Sequence, residues 1–421
     1  MLHITVWNSD AMEDQTIVGI DIGTTKICTL VSKVNEEGEI RIVGVGIEPS
    51  RGLKRGGIVD LEGATIAIAK SVEKAQRSSG YEIRSAWVSL AGSHVSSINS
   101  RGVAGVSGGI VRQSEVNRAL EAAQSVAIPH NREIIHVIQR GFNVDGQNGI
   151  SQPVGMHGYR LEVEAHIITA AETTIENLRK AADAAGVQVL QFVLNPLASG
   201  EVVLTETERQ LGVMVCDIGG GTTDLAIYIN SDVWHTSVLG IGGSLITSDI
   251  AHGLRLPLNQ AEEVKKKYGH ALKSEVAEEE WFSVRSFGED NPIQLSRRDL
   301  AFIIEARVEE IFRFVLQEIK RSGYDGLLPA GVVLTGGCAL LPGIRKLGAG
   351  VLGLPVRVAQ PENLTGLVDQ LYSPAYSTSV GLLHWALLMD DAIQPRTSKK
   401  TPPPPAEFWE KIKDFAKRLL P

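Results

Sequence analysis

Two segments far apart in the chain carry the residues best suited to chemistry. Val18 to Thr25 reads VGIDIGTT, and Val215 to Thr223 reads VCDIGGGTT, followed by Asp224 and a further apolar run. In each, an apolar strand delivers an aspartate, the chain bends through glycine and two threonines, and a second strand leads away. Glycine lets a backbone approach an anion closely and turn its N–H groups toward oxygen, and threonine hydroxyls add donors. The aspartate ahead of each bend, Asp21 or Asp217, sits where a carboxylate holds Mg2+ through water, because Mg2+ gives up its hydration shell reluctantly. Two such bends facing one another would clamp a triphosphate from both sides. A third segment, Val332 to Gly337, reads VVLTGG; a strand that opens into Gly336 and Gly337 leaves room for a flat adenine and its ribose against the backbone. No GxxxxGKS sequence is present, which excludes a P-loop.

The repeated bend implies a duplicated α/β domain, and the surrounding patterns agree. Ile17 to Ile22 reads as a buried strand and Ile27 to Val34 as its hairpin partner. Ala64 to Arg77 reads as a helix closed by Gly80, and Thr173 to Ala185 as another, with a threonine cap and Gly186 beyond its end. The longest helical signal follows Ser296 as N-cap. Leu300, Ile303, Ile304, Val308, Ile311, Phe312, Val315 and Ile319 recur at three- and four-residue steps until Gly323. Alternation of this kind predicts α/β layers. Between 85 and 166, Trp87 to Leu90 and Ile134 to Val137 read as strands and Glu115 to Ala127 as a helix behind Ser114, a small α/β insertion. His94, His136 and His166 are too widely spaced for a ligand motif and read as core or surface residues. Cys28, Cys216 and Cys338 suit neither a disulfide framework nor a zinc site and read as small buried hydrophobes.

Composition bounds the remaining possibilities. A chain of 421 residues, 43% hydrophobic and 21% charged, is globular and long enough for several domains. With 41 basic and 49 acidic residues its net charge is −8, which argues against nucleic-acid binding through a basic surface. No apolar run nears the roughly 20 residues that span a bilayer, and the first residues lack the pattern of a signal peptide, so a cytosolic protein is expected. After Met389 the sequence becomes polar, then reaches Pro402 to Pro405, and ends in a short periodic segment. On a helical wheel at about 100° per residue, Phe408, Trp409, Ile412, Phe415, Ala416, Leu419 and Leu420 share an arc that no polar residue enters. Lys411, Lys413, Lys417 and Arg418 flank it. A helix so built lies in the interface of an anionic membrane, the alternative being a helix docked on the protein's own body.

Together the three glycine-bearing segments resemble the actin, heat-shock chaperone and sugar-kinase superfamily, whose two-lobed ATPase fold duplicates a ribonuclease-H-like domain. Within it the chain is similar to the FtsA family of actin-like bacterial cell-division proteins over nearly its whole length. The stretches that carry this likeness are Ile42 to Gly63, His136 to Gly146, Gln152 to Gly158, Ser296 to Phe312 and Tyr376 to His384. The resemblance implies ATP and Mg2+ in a cleft between the lobes, with Asp21 and Asp217 on the metal side. Gly23, Thr24, Thr25, Gly219, Gly220, Gly221 and Thr222 would hold phosphates, and Gly336 and Gly337 would face the adenosine. Glu263, Lys266 and Lys267 match the family's nucleoside-contacting helix, solvated helix charges being the alternative. Gln191, in the stretch QFVLNPLASG, matches the residue that positions the attacking water in actin. Asn195 and Pro196 stand where chaperone-type and filament relatives place a glutamate nearby. A neutral amide orients water without taking its proton, so slow ATP turnover is expected.

The same resemblance divides the chain into a first lobe (13–84 and 167–192), an inserted subdomain called 1C (85–166), a second lobe (193–252 and 330–389) with a peripheral subdomain (253–329), a linker (390–405) and an amphipathic helix (406–421). It implies self-association into filaments, binding of the C-terminal peptide of the tubulin-like FtsZ near Arg297 and Arg298, and further division proteins as partners. Its expected place is the cytoplasmic face of the cell membrane at the septum, where it would tether the FtsZ ring. Two rivals remain: the actin-like pilus-assembly adaptor PilM, which lacks the amphipathic tail, and an active enzyme of the superfamily, a small-molecule kinase or a chaperone.

Overall fold

The computed structural model describes residues 15–35, 37–125, 128–285 and 292–393. The apolar tail residues Phe408, Trp409, Ile412, Phe415, Leu419 and Leu420 lie outside the described residues. Strands Gln15–Ile22, Lys26–Val34 and Ile40–Pro49 form an antiparallel meander. Ser85–Leu90 and then Gln188–Leu194 join in parallel on one side, and Thr365–Gly366 closes the other edge, giving six strands. Lys26–Val34 is buried at nearly every position, as a strand covered on both faces must be. Helix Leu61–Ser79 covers one face. Asp60 caps its start by accepting from Gly63 N–H, and Gly80 ends it in the left-handed region at φ 76°. Gly46 is required beneath this helix, because a Cβ there would lie 1.9 Å from the Ser71 carbonyl.

The second lobe repeats the plan. Val213–Ile218, Thr223–Ile229 and Asp232–Leu239 form an antiparallel meander, and Val332–Thr335 and Val356–Val358 extend it in parallel. Helix Arg297–Ser322 packs beneath it with Ser296 accepting from Asp299 N–H at one end and Gly323 at φ 77° at the other. The apolar stripe expected from the sequence is the buried face, from Leu300 through Phe312 to Ile319.

Strands Ser96–Gly105, Arg160–Ala171, Arg132–Val144 and Gln147–Ile150 form a separate antiparallel sheet under helix Gln113–Gln124. It has its own core of Val116, Ala119, Phe142, Leu161, Val163 and Ile167. Gly102 passes directly below the helix, 1.9 Å from the Ala119 carbonyl if it bore a Cβ. Of the two readings left open, core or surface, His136 and His166 take the first: burial lowers them to about 4 and about 3. His166 is held between Asn99 Oδ1 at 2.7 Å and Thr236 Oγ1 at 2.9 Å.

The helices expected behind Ser114 and a threonine cap start instead at Gln113 after Arg112 and at Glu172 after Ala171, which has no side-chain cap, and three further differences concern whole elements. Ser85–Leu90, expected within the insertion, pairs with Gln15–Ile22 and Gln188–Leu194 and is a strand of the first sheet. Arg132–Val144 runs far beyond Ile134 to Val137, because two register shifts against its neighbour break the alternation that marks a strand in sequence. Helix Ser377–Ile393, expected in the second lobe, packs against the first sheet: Leu382 lies on Gly19, and Val380 and Leu383 sit with Cys28 and Leu30. It also packs against helix Asn195–Val203, where a Cβ on Gly381 would lie 1.9 Å from the Ala198 carbonyl. Among the described residues no helix is long and apolar enough to cross a membrane.

Candidate functional site

Each glycine bend closes with the same hydrogen bond. Gly23 N–H donates to the Lys26 carbonyl at 3.1 Å and Gly219 N–H to the Thr222 carbonyl at 2.9 Å, one offset carrying 21, 23 and 26 onto 217, 219 and 222. The two bends meet between the lobes. A Cβ on Gly220 would fall 2.0 Å from Thr25 Oγ1, and one on Gly221 2.5 Å from Thr24 Oγ1, so at both positions any larger residue would have to displace a threonine side chain of the opposite lobe. Among the described residues no protein acceptor takes the N–H groups of Thr24, Thr25, Gly220 or Gly221. The second bend is held from behind by the start of helix Gly243–Leu254, whose Gly243 and Ser244 N–H groups donate to the Gly219 and Gly220 carbonyls at 2.9 and 2.7 Å.

Behind the bends Asp21 and Asp217 come together, 8% and 5% exposed. Asp21 accepts from Ser89 Oγ at 3.0 Å and from Ser379 Oγ at 2.8 Å; Asp217 Oδ2 accepts from Thr378 Oγ1 at 2.8 Å. Gly336, in the left-handed region at φ 84°, backs the other oxygen: a Cβ there would lie 2.3 Å from Asp217 Oδ1. Burial pushes the Asp217 carboxyl up to about 6, and the Asp21 charge adds to it against the Thr378 hydrogen bond. Asp224 is pushed well above the carboxylate range by burial and then by Asp217. Its Oδ2 accepts from Thr222 Oγ1 at 2.8 Å, while its buried Oδ1 has no partner.

Buried carboxylates without a cation are costly, so this acidic floor favours a positive ion. Among the described residues no group of three or more His, Cys, Asp or Glu is arranged to hold a metal directly. A hydrated Mg2+ shared with phosphate oxygens fits such a donor set, and the free amides above fit the phosphates. Gly337 is exposed, and a Cβ built on it would meet only Ala375 Cβ, at 4.0 Å, so the backbone there is open on one side.

Other expected residues are placed differently. Helix Leu258–Tyr268 turns Glu262 and Lys265 toward the second bend: Lys265 Nζ donates to the Gly243 carbonyl at 3.0 Å and to Thr247 Oγ1 at 2.8 Å, and pairs with Glu262 at 2.6 Å. Glu263, Lys266 and Lys267 are exposed, Lys266 pairing with Glu262 at 3.2 Å and Lys267 lying over the Tyr268 ring. Gln191 pairs with Trp87, which pairs with Gly19, two residues short of Asp21. It is not brought to the aspartates, whereas Asn195 lies beside Asp224. Arg297 and Arg298 pair with Glu280 and Glu278 within the peripheral subdomain, and Arg297 also donates to the Tyr268 carbonyl at 2.9 Å. The site further includes Ser89, Thr378, Ser379 and Lys26, the last donating to the Ala375 carbonyl beside the Tyr376 ring. Only the hydroxyl run in Tyr376 to His384 offered a sequence signal for these.

Comparison with known proteins decides the family. The chain is 42% identical over 371 residues to the cell division protein FtsA of Pseudomonas aeruginosa, covering 88% of this chain and 89% of that protein. The chain belongs to the FtsA family. The family profile for cell division protein FtsA matches residues 214–381, and the profile of the SHS2 domain inserted in FtsA matches 92–169, which places the FtsA insert beyond Ser85–Leu90. Among solved structures, a chain of the PilM–PilN type IV pilus biogenesis complex aligns with TM-score 0.62 at 17% identity, covering 88% of this chain and 98% of its own. MreB5 of Spiroplasma citri bound to ADP aligns with TM-score 0.56 at 16% identity, covering 90% and 98%. These likenesses concern the fold, which is the two-lobed actin-like α/β fold with a small inserted subdomain.

Proposed function

We propose that this FtsA-family chain binds ATP with Mg2+ between its lobes and, as a filament, tethers the FtsZ ring to the cytoplasmic face of the cell membrane at the septum. The observation that carries the nucleotide part is the meeting of the two bends above Asp21 and Asp217. In this reading the amides of Thr24, Thr25, Gly220 and Gly221 hold phosphate oxygens, with Gly23, Gly219 and Thr222 shaping the bends. Gly337 leaves space for the adenosine, with Gly336 packed behind it against Asp217, and Glu262 and Lys265 approach from the other side, with Glu263, Lys266 and Lys267 at the rim. Asp21 and Asp217 would hold Mg2+ through water, and the ion would screen the charge of the phosphates. The likeness to an ADP-bound MreB5 supports a nucleotide in this fold. Asn195 can orient water beside Asp224 but cannot take its proton, so turnover is slow and the nucleotide acts chiefly as a conformational ligand.

The membrane part rests on the sequence of the tail. One short amphipathic helix binds a bilayer reversibly, whereas many tails on one filament bind together at high effective concentration. The FtsZ peptide is assigned to the peripheral subdomain, where an acidic peptide would compete with Glu278 for Arg298. A pilus-adaptor role is disfavoured: the likeness to the PilM complex chain is one of fold at 17% identity, against 42% identity to an FtsA. Equilibrium titration with ATP in Mg2+ tests the cleft, and sedimentation with phosphatidylglycerol vesicles tests the tail. The reading expects binding in both; absence of ATP binding at millimolar concentration would overturn the first, and absence of vesicle binding by assembled protein the second.

A further inference from the structure

Three consecutive hydroxyl residues open helix Ser377–Ile393, in a stretch to which the proposed function gives no role. Each reaches a different strand end. Ser377 Oγ lies 2.6 Å from Thr335 Oγ1, just before Gly336; Thr378 Oγ1 donates to Asp217 Oδ2 at 2.8 Å; Ser379 Oγ donates to Asp21 Oδ2 at 2.8 Å. All three are buried, at 0%, 6% and 1% exposure. A buried serine or threonine in a helix ordinarily satisfies its hydroxyl on the carbonyl one turn back. Thr378 and Ser379 instead spend theirs on two carboxylates from two lobes. The helix that carries them is fixed in place, with Leu382 against Gly19 and Gly381 against the Ala198 carbonyl.

We propose that Thr378 and Ser379 are positioning residues for the cation site, an inference that rests on the ATP and Mg2+ reading of the cleft. Each donates to one carboxylate oxygen, which fixes the plane of that carboxylate and leaves its remaining lone pairs for the water ligands of the ion. Because the two donors are neighbours on one helix turn, that turn sets the spacing of the two like charges. Lobe opening therefore cannot spread the aspartates without breaking a buried hydrogen bond.

The test is ATP binding by the full chain, titrated once in excess Mg2+ and once in EDTA. The ratio of the two affinities measures the contribution of the ion. Thr378→Val keeps the side-chain shape and removes the donor; the ratio is expected to fall at least tenfold while affinity in EDTA stays within twofold, and Thr378→Ser is expected to restore it. Ser379→Ala, a smaller change directed at Asp21, is expected to lower the ratio several-fold and serves where Thr378→Val does not fold. Equal loss in both buffers would mean a merely structural role and overturn the proposal, as would an unchanged ratio in the folded variants. A parent chain that binds no ATP would overturn the cleft reading itself, and one that binds equally in Mg2+ and EDTA would overturn the cation assignment; the proposal falls with either.

Discussion

Asp217→Asn isolates the cost of a buried charge in the free protein. Burial holds the Asp217 carboxyl at about 6 against an ordinary value of 3.8. At 1.36 kcal/mol per pKa unit this corresponds to roughly 3 kcal/mol between the two protonation states. The sign follows from linkage. Between pH 4 and 6 the folded chain keeps a proton that the unfolded chain has released, so stability is lost as pH rises through that window. About 2 kcal/mol of the total develops between pH 4.5 and 7.5. Asparagine cannot ionise and still accepts the Thr378 hydrogen bond, so the variant escapes this loss. In urea unfolding without nucleotide or divalent metal, the variant is expected to gain about 2 kcal/mol on the parent between those pH values. Adding ATP and Mg2+ at pH 7.5 is expected to narrow the gap, because a ligand bound to the ionised native form stabilises it. A gap that does not change with pH would refute the assignment of Asp217 as the group that titrates under strain.

Three further outcomes are expected. Gly221→Val sets a side chain against Thr24, where a Cβ already falls 2.5 Å from Oγ1; ATP affinity should drop at least tenfold while circular dichroism reports an intact fold, and unchanged affinity would reject the contact between bends. Trp409→Glu places a charge in the apolar arc of the tail, so sedimentation with anionic vesicles should fail while ATP affinity is retained; persistent sedimentation would reject the tail as anchor. Arg140, whose guanidinium lies 3.7 Å above the Trp234 ring, joins the insert to the second lobe, and its change to alanine should cost about 1–2 kcal/mol locally. That loss should show as faster amide exchange in Ser96–Gly105 rather than as a lower global melting point, and unaltered exchange would remove the coupling.

The features legible in the sequence were those with a local physical cause. Ser296 and Gly323 bound the long helix because a hydroxyl cap and a left-handed glycine act within a few residues. The paired bends were legible because the same aspartate, glycine and threonine types recur in both, and in the structure Gly220 and Gly221 lie against the side chains of Thr25 and Thr24. What escaped depends on contacts between distant segments. Thr378 and Ser379 look like ordinary residues of an apolar helix until Asp217 and Asp21 are brought to them. The inward face of helix Leu258–Tyr268 has no local signature, because only Gly243 and Thr247 show that Lys265 points in. Gln191 matches actin's water-positioning residue through the resemblance of its stretch, yet strand pairing leaves it two residues short of Asp21. Ser85–Leu90 fell to the insertion in sequence because nothing local distinguishes a strand of one sheet from a strand of the next.

The central claim is that one nucleotide is gripped by both lobes at once. A crystal structure of the full chain grown with ATP and Mg2+ tests it most directly. The account predicts a triphosphate whose oxygens accept from backbone amides of Thr24 or Thr25 and also of Gly220 or Gly221, with the ion's water ligands on Asp21 and Asp217. A triphosphate held by one bend alone, or bound away from the pair of aspartates, would contradict it.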